Sequence, residues 1–206
     1  MTQQSFVERF SALDTATLYE SGARATMNSE IKALSGDRRL VGQAFPIMCP
    51  PGDNLMIHVG VARASEGDVL VVQCHDHSYG VWGEVLTVSA IARGIAGVII
   101  DGSVRDLGAI RKLNFPVFAR GTALRGAEKT ARGTVGEVIT CAGAPVWPGD
   151  LIVADESGIV IMRAHESDQI LAKAEERGRK ELLLMKELRA GQTTMELLGL
   201  HGRYTE

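Results

Sequence analysis

Gly97-Val98-Ile99-Ile100-Asp101-Gly102-Ser103-Val104-Arg105-Asp106 is the stretch on which the fold turns. Three β-branched residues stand in an unbroken row, without the polar alternation of a half-exposed strand, and such a run marks a strand buried on both faces. Val69-Leu70-Val71-Val72 is a second run of the same kind. Between them, Gly83-Glu84 opens a helical pattern that continues to about Arg93. Strand, helix and strand in this order predict a parallel pair inside an α/β sheet. Upstream, Val41–Cys49 reads as a strand closed by Pro50-Pro51-Gly52-Asp53, and Asn54 opens a helix carrying Leu55, Ile57, His58, Val61 and Ala62. Downstream, Gly102 is expected to turn the chain, Val104–Leu113 to form a short helix, and Pro116–Ala119 a third strand.

The pattern changes beyond that point. Val135–Arg163 has no helical period, and its short apolar runs are separated by Pro148-Gly149-Asp150 and Asp155-Glu156-Ser157-Gly158, which predicts hairpins. One charged helix is expected from Glu166 to about Ala190, and residues 3–34 read as two helical pieces with Asp14 capping the second. The expected architecture is a single α/β domain with a mixed sheet over residues 1–165 and a C-terminal helical extension over 166–206.

Composition narrows the function classes. The chain has 206 residues, 22 Lys+Arg against 25 Asp+Glu, and a formal net charge of −3, so it lacks the basic balance of a chain that binds nucleic acid along its length. Hydrophobic residues at 45% and charged residues at 23% exclude an intrinsically disordered chain. The start, MTQQSFVERF, has no basic segment followed by an apolar run, and no apolar stretch approaches the ~20 residues that span a bilayer, so a cytoplasmic protein without a membrane role is expected. Cys49, Cys74 and Cys141 have no metal-ligand spacing and read as reduced, buried, small hydrophobes. There are 23 glycines against a typical share of ~7%, which asks for an explanation beyond ordinary turns.

Several motifs fail. No G-x-G-x-x-G follows a buried strand, and Gly121–Gly126 has Walker spacing but Ala127 where lysine is required. Lys112, Lys129 and Lys180 stand in polar surroundings and read as solvated ammonium groups. His75-Asp76-His77 has the i, i+2 spacing of a possible metal pair, although Ser78-Tyr79-Gly80 after it reads as loop. His58 is either a hydrogen-bonded, partly buried histidine or a ligand.

Two places combine the residue types that chemistry needs. In Trp82-Gly83-Glu84-Val85-Leu86 a glycine begins a helix, so the free N–H groups of Val85 and Leu86 offer an anion site suited to a carboxylate. In Asp101-Gly102-Ser103-Val104-Arg105-Asp106 a buried strand ends beside an arginine, a planar donor for an oxyanion, and an aspartate, a hard ligand for a divalent ion. The plain alternative for Arg105-Asp106 is a solvated pair with the aspartate capping the next helix.

These segments, with Gly52-Asp53-Asn54, Phe115-Pro116-Val117-Phe118-Ala119-Arg120-Gly121, Pro148-Gly149-Asp150-Leu151 and Gly158-Ile159-Val160, resemble one family over about residues 12 to 200. It is the family of the 4-hydroxy-4-methyl-2-oxoglutarate/4-carboxy-4-hydroxy-2-oxoadipate aldolases and of the regulator of ribonuclease activity A. The resemblance implies a layered β/β/α fold of the swivelling, phosphohistidine-domain-like type. It also implies that Asp106 ligates Mg²⁺ or Mn²⁺, that Arg105 contacts the keto or enolate oxygen, and that Glu84 holds the waters of the ion. Gly83, Val85 and Leu86 would then bind the pyruvyl carboxylate through backbone amides, and Glu181 would reach the site of a neighbouring subunit. The tail Thr194-Met195-Glu196-Leu197-Leu198-Gly199-Leu200-His201 departs from the G-E-L-G-L-D-like ending of the aldolases.

The expectation is a divalent-metal-dependent class II pyruvate aldolase, a carbon–carbon lyase that cleaves 4-hydroxy-2-oxo acids to pyruvate and a second oxo acid. It would decarboxylate oxaloacetate as a side activity and assemble as a homotrimer or a dimer of trimers. The alternatives are a non-catalytic regulator that binds ribonuclease E, and a metal-dependent enzyme of the same fold acting on an unrelated oxo acid.

Overall fold

A computed structural model describes residues 3–36, 39–74 and 76–203. The chain begins with α1 (Gln3–Ser11), α2 (Thr15–Glu20), β1 (Ala25–Thr26), β2 (Lys32–Ser35), β3 (Leu40–Cys49), α3 (Leu55–Arg63), β4 (Asp68–Cys74), β5 (Tyr79–Trp82) and α4 (Glu84–Ala92). It continues with β6 (Gly97–Val104), α5 (Leu107–Lys112), β7 (Val117–Thr122), β8 (Arg125–Gly126) and β9 (Thr134–Val135). After these come β10 (Ile139–Cys141), β11 (Ala144–Val146), β12 (Leu151–Asp155), β13 (Gly158–Met162), α6 (Ser167–Arg189) and α7 (Thr194–Leu197).

The two β-branched runs form the centre of the sheet. Val69–Val72 and Val98–Ile100 have 0% exposure, and β4 pairs with β6 in parallel from Val69↔Gly97 to Gln73↔Asp101. Successive side chains point to opposite faces and both faces are covered, which is why the runs show no alternation. Leu70, Val72, Val98 and Ile100 pack with Met56 and Ile57 of α3, Leu86 of α4 and Ile110 of α5. Val69, Val71 and Ile99 point the other way, toward Ile139, Cys141, Ala144 and Val146 of the β10–β11 hairpin. The parallel order β3-β4-β6-β7 is thus helix-covered on one face. β12 extends the sheet antiparallel to β3, and β13 pairs with β12, which makes the sheet mixed. A third cluster joins Phe10 of α1 and Leu18 of α2 to Ile170, Leu171 and Ala174 of α6 over Val153 and Val160. The first turns of α6 therefore belong to the packed body, whereas Leu182 and Leu183 further along are 64% and 66% exposed.

Four local readings are corrected. Residues 3–34 are helical only to Glu20 and then form the short strands β1 and β2, because Ala25 and Thr26 find partners in Ile161 and Val160, and Lys32–Ser35 find partners in β7. Asp14 does stand at the N-cap of α2, but its side chain makes no cap bond and pairs with Arg39 instead. Tyr79-Gly80 is the start of β5 and not loop. Gly102 does not turn the chain. β4 stops pairing at Asp101, but β5 takes over with Gly80↔Ser103 and Trp82↔Val104, so β6 runs on to Val104. Gly102 is glycine for space, since a Cβ there would lie 3.1 Å from the Cβ of Cys74. The three cysteines are free and buried. Among the described residues no helix is long and apolar enough to cross a membrane.

Candidate active site

β6 ends beside β5, and the chain leaves it through two residues that build one wall of a cleft of about 290 Å³. The Arg105 amide donates to Trp82 O at 2.8 Å, which ties the end of β6 to the end of β5. Asp106 follows in the left-handed region at φ 57, ψ 28, a conformation that aspartate tolerates better than most residues. This kink turns its carboxylate back to the start of α4, where Oδ2 accepts from the Glu84 amide at 3.2 Å and lies 3.7 Å from Arg105 Nε. Both side chains are nearly half exposed, at 47% and 42%.

The start of α4 is the second wall. Gly83 is its N-cap residue, and a Cβ there would come within 2.5 Å of Asp106 Oδ2, so no side chain fits between the helix and the aspartate. Among the described residues the amides of Val85 and Leu86 find no hydrogen-bond acceptor. They are first-turn N–H groups at the positive end of a helix, the geometry that binds anions. Trp82 anchors this corner. It is fully buried and stacks on Phe115 with centroids 6.1 Å apart. Its Nε1 donates to Thr87 Oγ1 at 2.7 Å, and that hydroxyl donates to Gly83 O at 3.0 Å. Trp82→Phe keeps an aromatic ring and removes the first bond, so unfolding in urea should show a loss of about 1–2 kcal/mol.

The third wall comes from α3 and the segment around Lys129. Asn54 Nδ2 donates to Val81 O at 2.7 Å, while the buried Asn54 Oδ1 and the buried His58 Nε2 have no partner. Burial, followed by the charge of Lys129, pushes the His58 pKa below its ordinary 6.5, which favours the neutral ring at pH 7. The backbone that follows Lys129 is pinned by Asp53. Asp53, 3% exposed, accepts from Leu55 N at 2.8 Å, Thr130 N at 2.6 Å and Ala131 N at 2.9 Å. Burial alone would raise the Asp53 pKa, but these amides and the Thr130 hydroxyl outweigh it and hold the carboxyl below its usual value.

Of the residues expected from the sequence, Gly83, Val85, Leu86, Arg105 and Asp106 line this one cleft. Glu84 supplies its amide to Asp106, and its own side chain is exposed and is not part of the cleft lining. Glu181 is not brought to the cleft of its own chain. It lies on α6 and pairs with Arg177 at 2.8 Å, and Arg177 also pairs with Glu20 of α2. Gly102 is buried within β6 and forms no wall. His75 lies outside the described residues, and Asp76 accepts from Ser78 N at 2.8 Å in a turn. The sequence reading missed Lys129 as a cleft residue and left His58 open. The i, i+4 spacing of Asn54 and His58, which puts both on one side of the start of α3, is the signal that could have pointed there.

The donor set suits a hard divalent ion. Mg²⁺ is commonly held by one or two carboxylates together with waters and substrate oxygens, not by a full protein cage. Asp106 offers such a carboxylate, half exposed at the cleft, with its contacts to Glu84 and Arg105 both on Oδ2. Among the described residues no group of three or more His, Cys, Asp or Glu is gathered as a cage.

A family model described as RraA-like, Aldolase/RraA, matches residues 12–161. A protein of Halalkalibacterium halodurans, provisionally named a 4-hydroxy-4-methyl-2-oxoglutarate aldolase, is 33% identical over 174 residues, covering 84% of this chain and 83% of its own length. The crystal structure of an uncharacterized protein from Pseudomonas syringae pv. tomato superposes with a TM-score of 0.84 at 27% identity, covering 93% of this chain and 92% of that one. Streptomyces coelicolor RraAS2, described as an unusual member of the RNase ES inhibitor RraA protein family, superposes with a TM-score of 0.80 at 25% identity, covering 89% of this chain and 97% of its own.

Proposed function

The chain belongs to the RraA-like, Aldolase/RraA family, and from that premise we propose that it is a divalent-metal-dependent class II pyruvate aldolase. Its substrates are 4-hydroxy-2-oxo acids of the 4-hydroxy-4-methyl-2-oxoglutarate and 4-carboxy-4-hydroxy-2-oxoadipate type, and oxaloacetate decarboxylation is its side activity. One observation carries this reading: the free amides of Val85 and Leu86 line the same cleft as Arg105 and Asp106. A 2-oxo acid presents a carboxylate and a keto oxygen side by side, and this cleft offers an anion site, a guanidinium and a metal-binding carboxylate together.

The chemistry follows from those positions. The Val85 and Leu86 amides hold the pyruvyl carboxylate, and Gly83 leaves room for its approach. Cleavage of the C3–C4 bond leaves an electron pair on C3 that spreads to the C2 oxygen as an enolate. The Arg105 guanidinium lies where that charge develops and stabilises it, the kind of contribution that dominates such steps. Mg²⁺ or Mn²⁺ held by Asp106 would supply Lewis-acid polarisation of the same oxygen. As the second carbonyl forms, the 4-hydroxyl loses its proton, and Glu84 and Glu181 are the carboxylates assigned to receive it through water. Protonation of C3 then gives pyruvate. Loss of CO₂ from oxaloacetate produces the same enolate. Lys129, Asn54 Oδ1 and His58 Nε2 are the polar groups left for the other half of the substrate.

Glu181 would act from a second copy of the chain, in a homotrimer or a dimer of trimers. The outer half of α6 supports this reading, because Leu182 and Leu183 beside Glu181 are exposed, as are Val85, Val88 and Ile91 along α4. In this reading residues 1–165 are the catalytic core of a cytoplasmic enzyme and 166–206 the extension, whose first turns pack on the core and whose outer part reaches the neighbour. The layered β/β/α arrangement is of the swivelling, phosphohistidine-domain-like type.

The test is pyruvate release, coupled to lactate dehydrogenase, from both 4-hydroxy acids and from oxaloacetate. Release with Mg²⁺, loss on chelation and recovery on adding the metal are expected. No pyruvate from any of the three with Mg²⁺ or Mn²⁺ would overturn the reading in favour of a protein-binding regulator, to be examined by pull-down with ribonuclease E.

A further inference from the structure

Arg105 is the longest side chain at the cleft, and three glycines from three separate elements lie along it. At its root, a Cβ on Gly80 of β5 would stand 2.9 Å from Arg105 Cβ and 3.2 Å from Cγ. Midway, a Cβ on Gly83 would stand 3.2 Å from Cγ and 3.4 Å from Nε. At its tip, a Cβ on Gly126 of β8 would stand 2.9 Å from Nη1. None of the three has the left-handed backbone that by itself asks for glycine. What they share is the arginine.

We propose that Gly80, Gly83 and Gly126 are positioning residues that form a side-chain-free sheath around Arg105 and fix the guanidinium in the cleft. The role of the guanidinium in the reaction rests on the aldolase reading above. The sheath itself is a statement about where the side chain sits. A long side chain that is 47% exposed would otherwise sample several rotamers. Backbone from β5, the start of α4 and β8 closes around it without a competing side chain. The glycines differ in what else they touch. A Cβ at Gly80 also meets Ala123 O at 2.4 Å, and one at Gly83 meets Asp106 Oδ2 at 2.5 Å, so substitutions there disturb more than the arginine. At Gly126 the atoms within 4 Å are Arg105 Nη1 and Cζ alone.

Gly126→Ala is therefore the clean probe. Gly126 is exposed and the guanidinium can swing into solvent, so the variant should fold with an unchanged circular dichroism spectrum. Its crystal structure should show the Arg105 guanidinium displaced by about 1 Å or more. A shift of that size costs on the order of 10²-fold in rate when the group must meet a reacting atom, so kcat/KM for pyruvate release should fall by about that factor. In an Arg105→Lys background, where Nη1 is absent, the same substitution should change kcat/KM by less than about twofold, because residues that act through one another are not additive. Gly121→Ala, with nothing within 4 Å of its added Cβ, should behave as wild type. An unmoved guanidinium in Gly126→Ala, or equal losses in the wild-type and Arg105→Lys backgrounds, would overturn the sheath. A wild-type protein that releases no pyruvate would overturn the aldolase reading, and the displacement in the crystal would still decide the sheath.

Discussion

Replacing Arg105 by Ala, or Asp106 by Asn, is expected to cut pyruvate release by at least about 10²-fold and leave the protein folded. Both side chains are nearly half exposed and their mutual contact is a 3.7 Å surface pair, which contributes at most about 1 kcal/mol to stability. Removing a donor aimed at a developing oxyanion costs about 10²–10³-fold. Loss of the metal-binding carboxylate adds the Lewis-acid contribution, so Asp106→Asn should fall to or below that range. Asparagine is the informative choice at 106, because it keeps the side-chain size and accepts the left-handed backbone at φ 57 at less cost than alanine. Calorimetric titration with Mn²⁺ separates the two variants: binding should vanish in Asp106→Asn and persist in Arg105→Ala. Wild-type kcat/KM in either variant would remove that residue from the mechanism, and Mn²⁺ binding by Asp106→Asn would move the metal elsewhere.

Asp53→Ala is expected to be the costly change for stability. The substitution strands the amides of Leu55, Thr130 and Ala131 around a site that is 3% exposed. An unsatisfied buried donor costs about 1–3 kcal/mol, and partial rehydration of the segment holding Thr130 brings the total to about 3 kcal/mol. For a chain of this size that is a fall in Tm of about 6–12 °C. The acid limb gives an independent check. The folded carboxyl titrates below its ordinary 3.8, so the ionised form is bound more tightly in the folded state. Its contribution is complete above about pH 3.8 and is lost as pH falls through the lower folded value. Denaturant melts at pH 7 and pH 3 should therefore show a larger gap between wild type and Asp53→Ala at pH 7. Equal gaps at both pH values would show that the charge contributes nothing.

The sheet centre was legible in the sequence because burial on both faces removes alternation, and Val69–Val72 displays that directly. Of the hairpins after Val135, β12–β13 was legible through Asp155-Glu156-Ser157-Gly158, and the last helix through its charged pattern. β5 was hidden because four residues, Tyr79–Trp82, carry no period and contain a glycine that reads as loop. That omission moved the end of β6, since the partner that prolongs the strand past Asp101 is β5 itself. Of the candidate site, the Gly83–Leu86 corner and Arg105-Asp106 could be read from local pattern. Lys129 could not. A lysine in a polar segment looks the same whether it is solvated or held beside a cleft, and what holds its neighbours is Asp53, 77 residues away. The glycines around Arg105 were equally silent, because their reason is space beside a distant residue.

Among the described residues, the eleven-stranded sheet ends along its main path in two very short strands, β1 with Ala25–Thr26 and β8 with Arg125–Gly126. A long, flat edge would offer a row of unpaired N–H and C=O groups on which other chains can polymerise. Two residues offer almost no row to copy. At the β8 end the Arg125 guanidinium also lies 4.2 Å over the Tyr79 ring, placing a charge on the border strand. The brevity that hides these two strands from sequence reading leaves both of these ends little backbone to pair with another chain.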